Sequence, residues 1–390
     1  MKRILIVNNN LHIGGVQRAL INLLGQISND YEVTLLLFYS DHDSIKNVPK
    51  GVKIVAPCKA LKYWGMSKND AVSVKSRLCR GFWAAITRLF GRGFAFRMAA
   101  LFQHKLCGYD AAVSYLHSGN RRVFYGGCSE FVIHCTQARK KIAFLHCDYG
   151  KINAASAYNA GIYKQFDAIA ACSEGCRDAF LRVFPQFANN TSVVYNCHDY
   201  DRIYRLSHSY PVILPNAGLH ILTVARFGKE KGIPRAIMAF ASLGEKNRDV
   251  VYHIIGDGAQ FPESASLISE LGLTEKVILH REMKNPYGYM RACDLLLIPS
   301  FSEAAPLVIG EAACLGTPVL STMTSSADEM ITRTGFGWVC ENSPDGIKAG
   351  LERLIDNPEM IREKNKELQT GRFDNEYAIR QFSDLINEVT

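Results

Sequence analysis

The sequence predicts an α/β protein built from two doubly wound domains. Three observations predict it. Short apolar runs alternate with segments of helical spacing. The alternation runs twice, on either side of a stretch of turn formers at 207–219 (S-H-S-Y-P-V-I-L-P-N-A-G-L). A chain of 390 residues is also long for one domain.

The chain opens on K-R-I-L-I-V-N at 2–8, an apolar run suited to a central parallel strand. Asn8, Asn9 and Asn10 start a loop that reaches Gly14 and Gly15, and V-Q-R-A-L-I-N-L-L-G follows with helical spacing. Strand, Gly-Gly loop and helix start bring backbone N–H groups close to a phosphate. A plain tight turn has the same sequence appearance, and the dinucleotide pattern G-x-G-x-x-G is absent. Strands are expected at 31–38 and 53–56.

Residues 59–108 interrupt this rhythm. No acidic residue occurs from Ala71 to Tyr109. Lys75, Arg77, Arg80, Arg88, Arg92, Arg97 and Lys105 alternate with Phe82, Trp83, Ile86, Leu89, Phe90, Phe94, Phe96, Met98 and Leu101. That is the composition of a basic amphipathic surface, able to dock on an anionic membrane at ~1 kcal/mol per cation. A pair of helices with a solvated basic face has the same composition. No nucleic-acid recognition motif accompanies the charge, so no nucleic-acid partner is expected.

The α/β rhythm resumes with strands at 111–116, 141–145, 167–171 and 192–195. Three of these lead into a polar residue: His146, Ser173 and Asn196. In open parallel sheets, ligands lie beyond the carboxyl ends of strands. Taken singly, each residue also suits a turn or a cap. A second series begins at His220, with strands at 220–225, 250–255, 276–279, 295–299 and 318–321. Its helices centre on Ala236, Leu267, Tyr289 and Ala312. Two more helices follow Ser343, and an amphipathic segment at 375–389 closes the chain.

Composition narrows the function classes. The net charge of +8 permits an anionic partner without naming one. Twelve cysteines with no C-x-x-C pair read as reduced thiols of a cytoplasmic protein, and a zinc site is not expected. No secretory leader is visible, and no apolar run approaches the ~20 residues of a membrane span. The expected location is the cytoplasm, with contact at the inner face of the cell membrane.

The chemistry concentrates in the second series. V-A-R-F-G-K-E-K-G-I-P places Arg226 and Lys231 in a Gly-containing loop that enters a helix. Two cations there can hold a diphosphate and stabilise its departure, work otherwise done by a divalent metal. A solvated basic loop is the plainer alternative. G-D-G-A follows a strand, and Gly256 and Gly258 permit close backbone approach. The stretch from Pro299 to Pro318 carries Glu303 just after a strand and Glu311 inside a helix, with Pro306 suited to the first helical turn. Backbone N–H groups at Ala305, Leu307 and Val308 are available to a phosphate, while Pro306 has none. Glu311 can accept from vicinal ribose hydroxyls and Glu303 from a sugar.

These motifs, with Gly-Gly near the start and A-x-x-x-G-T-P after the second glutamate, resemble the retaining family 4 (group 1 type) glycosyltransferases of GT-B fold, as found in bacterial surface-polysaccharide and lipopolysaccharide synthesis. The resemblance covers nearly the whole chain and is most specific in its C-terminal half. It implies two Rossmann-like domains facing a cleft: an acceptor domain at 1–206, a linker at 207–219, a nucleotide-sugar domain at 220–372, and a C-terminal helix at 373–390 returning to the first domain. It implies that Arg226 and Lys231 hold the donor diphosphate, Glu311 the ribose and Glu303 the transferred sugar. Gly14 and Gly15 would lie near the diphosphate, with Asn196, Gly256, Gly258 and the segment Ala305-Pro306-Leu307-Val308 also on the donor. His146 would stand by the sugar and acceptor, with no general-base role assigned. Glu329, and Asn196 with Asp199, match further family positions. Ala304, Ser325-Ser326 and Cys197 replace residues usual in the family, which bears on the shape of the sugar pocket.

The implied reaction moves a sugar from a UDP- or GDP-sugar to a hydroxyl of a glycan or lipid-linked acceptor. No catalytic metal is expected. The D-x-D triplets at Asp41 and Asp43 and at Asp199 and Asp201 are no more frequent than chance allows. A sugar-nucleotide epimerase of the same fold, or a non-catalytic nucleotide-sugar-binding module, are the alternatives. The presence of Arg226, Lys231, Glu303 and Glu311 together speaks against the module.

Overall fold

The computed structural model describes residues 1–12, 14–41, 43–152, 154–214 and 218–387. The chain divides into two compact units: Met1–Cys197 with Asn375–Thr390, and His198–Asp374.

The first unit begins β1 (Arg3–Asn8), α1 (Gly15–Ile27), β2 (Glu32–Leu37) and β3 (Lys53–Val55). α2 (Lys62–Gly65), α3 (Val74–Phe90) and α4 (Arg92–Ala99) follow. Then come β4 (Leu106–Ser114), α5 (Cys128–Cys135), β5 (Thr136–Leu145), α6 (Ala157–Tyr163), β6 (Ala168–Ala171), α7 (Glu174–Val183) and β7 (Thr191–Val193). The seven strands form one sheet in the order β3-β2-β1-β4-β5-β6-β7, and every pairing is parallel. The reversal of direction falls between β1 and β4, where a doubly wound sheet opens a ligand crevice at its carboxyl edge. β1 earns its central place by composition: Ile4, Leu5, Ile6 and Val7 are all fully buried. α1 turns Leu20, Leu23, Leu24 and Ile27 onto the same core.

α3 departs from the usual arrangement. Ser73 caps it, accepting from the Ser76 N–H at 3.1 Å, yet Thr87 is its one fully buried residue. Val74, Leu78, Phe82 and Leu89, spaced at helical intervals, are all exposed. One expectation for this region needs correcting. Arg92 does not belong to a basic surface. It is 2% exposed, lies 3.8 Å from Glu130, and donates to the carbonyls of Val123 and Tyr125. Phe96 is likewise buried, against Trp64.

The second unit opens with α8 (Tyr200–Ser209), β8 (Leu219–Val224), α9 (Ile233–Ala241), β9 (Val250–Ile255), α10 (Phe261–Glu270) and β10 (Val277–His280). α11 (Tyr287–Ala292), β11 (Leu295–Ile298), α12 (Leu307–Ala313), β12 (Val319–Thr322) and β13 (Gly337–Cys340) follow, then α13 (Pro344–Asp356) and α14 (Pro358–Thr370). Its six strands run β10-β9-β8-β11-β12-β13, again all parallel. Two apolar clusters cover the two faces of this sheet. One gathers Ile221, Ile254 and Leu297 with Ile237 and Phe240, and the other Leu222, Leu296 and Ile298 with Met290 and Ile309. This alternation along each strand is the period of two expected of a sheet with both faces covered.

The first domain was expected to run to residue 206; the second unit starts at His198 and holds α8. Ile203 sits in the cluster with Tyr287 and Met290 of α11. The expected linker at 207–219 is helix at its start, and 215–217 lie outside the described residues. The last helix, α15 (Glu376–Asn387), belongs to the first unit. It buries Ala378, Phe382, Leu385 and Ile386 in that core. The end of the expected 373–390 segment, 388–390, lies outside the described residues.

Candidate active site

The second unit's candidate residues gather on loops at the carboxyl ends of β8, β9 and β11. After β8 the chain runs to Phe227, whose N–H donates to the Asp257 carbonyl at 2.8 Å and whose carbonyl accepts from Gln260 at 2.9 Å. This ties the Arg226 loop to the G-D-G turn. Gly256 and Gly258 make the approach possible. Their φ angles are +150° and +149°, and a Cβ on Gly256 would stand 1.9 Å from the Ala225 carbonyl oxygen. Asp257 closes the turn by accepting from the Gly258 N–H at 2.7 Å and from Arg281 at 3.0 Å.

A short 3₁₀ turn, Lys229–Lys231, then leads into α9. Lys231 Nζ lies 2.7 Å from Glu303 Oε1, with both side chains mostly buried. Ser300 Oγ donates to the same carboxylate oxygen at 2.6 Å, and Ser325 Oγ donates to the Glu303 carbonyl at 2.9 Å. The Phe301 N–H donates to the Glu230 carbonyl at 2.9 Å, joining the two loops through backbone. Glu303 is therefore aimed by the same contacts that aim Lys231.

Arg226 is different. It is exposed, and among the described residues its side chain pairs with the Glu230 carboxylate at 3.3 Å. A guanidinium so weakly held is free to turn to an incoming anion. Glu311, on α12, accepts from the Tyr287 hydroxyl at 3.2 Å. Pro306 is the N-cap of α12, one place before the first helical turn where the sequence had put it. Glu329 lies mostly buried in the turn at Asp328–Thr332, 3.9 Å from Arg333.

In the first unit, Gly14 is the N-cap of α1 and Gly15 its first residue, with nothing within 4 Å of a Cβ placed there. His146 directly follows β5 and packs on Tyr115, ring centres 4.6 Å apart. Its Nε2 is buried and has no hydrogen-bond partner among the described residues. Burial, with His117 beside it, pushes the imidazole down to about 3, so it is neutral near neutral pH. Ser173 caps α7, accepting from the Cys176 N–H at 3.0 Å. Asn196 lies three residues beyond the end of β7. Asp199 caps α8 through the Arg202 N–H at 3.1 Å. Asp41 accepts from the Ser44 N–H at 2.7 Å and Asp43 pairs with Lys46, so the first triplet has ordinary capping and pairing roles; His42 lies outside the described residues.

Three functional supports escaped sequence reasoning. Arg235 donates twice to the Pro299 carbonyl, at 2.9 and 2.6 Å, and stacks 3.6 Å over the Phe301 ring. A cation in the apolar face of I-P-R-A-I was the available signal. His198 lies 3.1 Å from the Leu307 carbonyl through Nε2, which must carry the proton there. Burial pushes its imidazole down to about 4. Tyr287, the donor to Glu311, carries no local signal at all.

Residues 214–370 match the family described as glycosyl transferases group 1. An N-acetylgalactosaminyltransferase of Campylobacter jejuni, acting on a diphospho-undecaprenol-linked sugar by its name, is 28% identical over 211 residues, 53% of this chain and 55% of its own. The 2-deoxystreptamine glucosyltransferase of Streptomyces kanamyceticus is 34% identical over 168 residues, 41% of each chain. The chain thus spans about half the length of the curated relatives it matches. Among solved structures, Anabaena HepE in complex with UDP and glucose superposes with a TM-score of 0.69 at 18% identity, covering 100% of both chains. WaaG, a glycosyltransferase of lipopolysaccharide biosynthesis, gives 0.62 at 15%, covering 99% of this chain and 100% of its own.

Fold and site together define a two-unit α/β protein of GT-B fold. Most of its second unit, residues 214–370, matches the group 1 glycosyl transferases, and the chain is similar to bacterial polysaccharide transferases.

Proposed function

We propose that the chain transfers a sugar from a nucleoside-diphosphate donor, UDP- or GDP-linked, to a hydroxyl of a glycan or lipid-linked acceptor, with retention at the anomeric carbon. One observation carries the reading: Lys231 and Glu303 are bonded at 2.7 Å on neighbouring loops that also present Arg226. Lys231 has three N–H donors and spends one on Glu303, so the others can reach diphosphate oxygens. Arg226 adds a guanidinium fork. Glu303 keeps an oxygen for sugar hydroxyls, and Glu311 takes the ribose. Gly256 and Gly258 let backbone lie close to the donor, and the N–H groups at Ala305, Leu307 and Val308 face its phosphates. In the first unit, taken by itself, Gly14, Gly15, Asn196 and His146 are the candidate residues.

As the C–O bond to the diphosphate breaks, negative charge gathers on the leaving oxygen, where Arg226 and Lys231 stabilise it. The acceptor oxygen bonds to the anomeric carbon on the same face, and its proton passes to the leaving phosphate. Neutral His146 orients a hydroxyl. With the cations balancing the diphosphate, turnover needs no divalent metal, and loss on EDTA treatment restored by Mn²⁺ would count against this.

Transfer is tested with UDP- and GDP-sugars labelled at the anomeric carbon. Nucleoside diphosphate and a glycoside of retained configuration are expected. An isomerised nucleotide sugar without transfer would overturn the reading and leave an epimerase.

We also propose a cytoplasmic location with contact to an anionic membrane. Lys75, Arg77, Arg88 and Arg97 stand beside exposed Leu78, Phe82, Leu89 and Phe94 on α3 and α4. Among the described residues no helix is long and apolar enough to cross a membrane. Sedimentation with phosphatidylglycerol vesicles that weakens with salt supports this contact, and equal binding to phosphatidylcholine refutes its electrostatic part.

A further inference from the structure

The first unit holds a concavity of about 270 Å³ lined by Asn120, Arg121, Arg122, Ala154, Ala155 and Ser156. One wall is the loop after β4, and the other is the segment entering α6. Fully buried Asn159 braces both from behind. Its Nδ2 donates to the Gly119 carbonyl at 3.0 Å and to the Ala154 carbonyl at 2.7 Å, and its Oδ1 accepts from Ser118 Oγ at 3.0 Å. Tyr149 donates to the Ser118 carbonyl at 2.9 Å, and the Ser118 N–H donates to Tyr163 at 3.1 Å. The shape of the cavity is thus set by buried hydrogen bonds before any ligand arrives.

Its charge is unbalanced. Arg121 and Arg122 are adjacent and exposed, and no carboxylate among the described residues pairs with either. No acidic residue occurs in 117–129, 149–152 or 154–166, the described segments around the two walls. Ser156 accepts from the Asn159 N–H at 3.2 Å and keeps its own O–H to give. Two guanidinium forks and a hydroxyl on a braced concave wall are a receptor for a tetrahedral dianion.

We propose that this concavity binds the phosphate or diphosphate of the acceptor, so that the acceptor is a phosphorylated molecule. Its role as an acceptor site rests on the transferase reading; the binding of the anion does not. The Arg92 N–H, at the start of α4, donates to the Arg121 carbonyl at 2.9 Å. A Cβ on Gly91 would lie 3.7 Å from the Arg121 guanidinium. Arg121 therefore borders the α3–α4 junction, which carries exposed Leu89 and Phe90. The same chemistry serves a soluble sugar phosphate or the diphosphate of an isoprenoid lipid lying along that apolar side.

The test titrates inorganic diphosphate calorimetrically into the full chain carrying R226A/K231A, which removes the donor-side cations. Binding is expected there, and adding R121Q/R122Q should weaken it about tenfold or more, the scale for losing charge-assisted hydrogen bonds. No binding to R226A/K231A, or an affinity indifferent to R121Q/R122Q, overturns the proposal. Among the described residues Arg121 and Arg122 hydrogen-bond through backbone, so the substitutions leave the fold intact, which unchanged melting checks. Phosphatidylcholine vesicles doped with geranylgeranyl diphosphate separate the sources. Capture lost in R121Q/R122Q assigns the anion to a lipid; binding of free diphosphate without capture assigns it to a soluble acceptor. Failure of the transferase reading would show instead as no consumption of any donor, with the anion titration unaffected.

Discussion

At the scale of single residues, Arg226 and Lys231 do different work despite their shared charge. Lys231 is mostly buried and locked to Glu303, while Arg226 is exposed beside Glu230. Arg226→Ala should lower kcat/KM by the equivalent of ~2 to 4 kcal/mol, the scale of one oxyanion-type donor. Its melting temperature should stay near wild type, because its surface pair contributes little to stability. Lys231→Ala should lose as much activity and also some stability, since Glu303 would keep Ser300 but lose its buried cation. Steady-state kinetics and thermal melts of both variants check this, and wild-type turnover in either would refute its assigned role. The buried histidines give a second prediction. Burial pushes His117 and His253 down to about 4 and His146 to about 3, with Arg92 near His117 adding to the effect. In the unfolded chain they titrate near 6.5. Below that pH the unfolded chain binds protons that the folded chain refuses. Their contribution is therefore fully present above about pH 6.5 and lost as pH falls towards 4. Melting temperature should drop across that window, less steeply in His117→Asn and His146→Asn, and equal slopes in variants and wild type would count against it.

At the scale of elements, the glycine loops separate folding from ligand approach. Gly256 sits where backbone from the neighbouring loop leaves no room, and its φ is +150°. Gly256→Ala should cost ~1 to 3 kcal/mol in backbone strain alone, before the clash is relieved. Gly15 is the contrasting case: a Cβ there meets open space at the start of α1. Gly15→Ala should therefore keep or slightly raise the melting temperature, as Ala favours a helix over Gly by about 1 kcal/mol. If it nonetheless loses activity, the missing space is what the donor phosphate occupies. Native activity in Gly15→Ala would remove Gly15 from the donor site. The strands show why elements read well from sequence. Val250–Ile255 matches its expected range, and most others shift at their ends by a few residues. β13 was missed because G-W-V-C lacks an unbroken apolar run, and its pairing with β12 supplies the hydrogen bonds that local sequence does not announce.

At the scale of the molecule, the C-terminal helix joins the first unit although it follows the second in sequence. Phe382 is fully buried against Tyr31 and Phe144. Phe382→Ala should destabilise the first unit by ~3 to 5 kcal/mol, the usual cost of an emptied aromatic site. Calorimetry should show the first unit's transition lowered and the second unit's unchanged. A lowered second transition instead would place the helix's energetic role elsewhere.

The sequence by itself determined the α/β class, the two series of strands and the positions of Arg226, Lys231, Glu303 and Glu311. Periodicity and loop chemistry are local properties, and motif spacing survives without coordinates. Tertiary structure alone decided which charges meet. It bonded Lys231 to Glu303 across 72 residues of chain, buried Arg92 against Glu130, and moved α8 into the second unit. It also placed exposed Arg121 and Arg122 on a braced wall, with no carboxylate paired to either among the described residues. Burial and pairing depend on what other segments bring to the same place, and no local pattern carries that information.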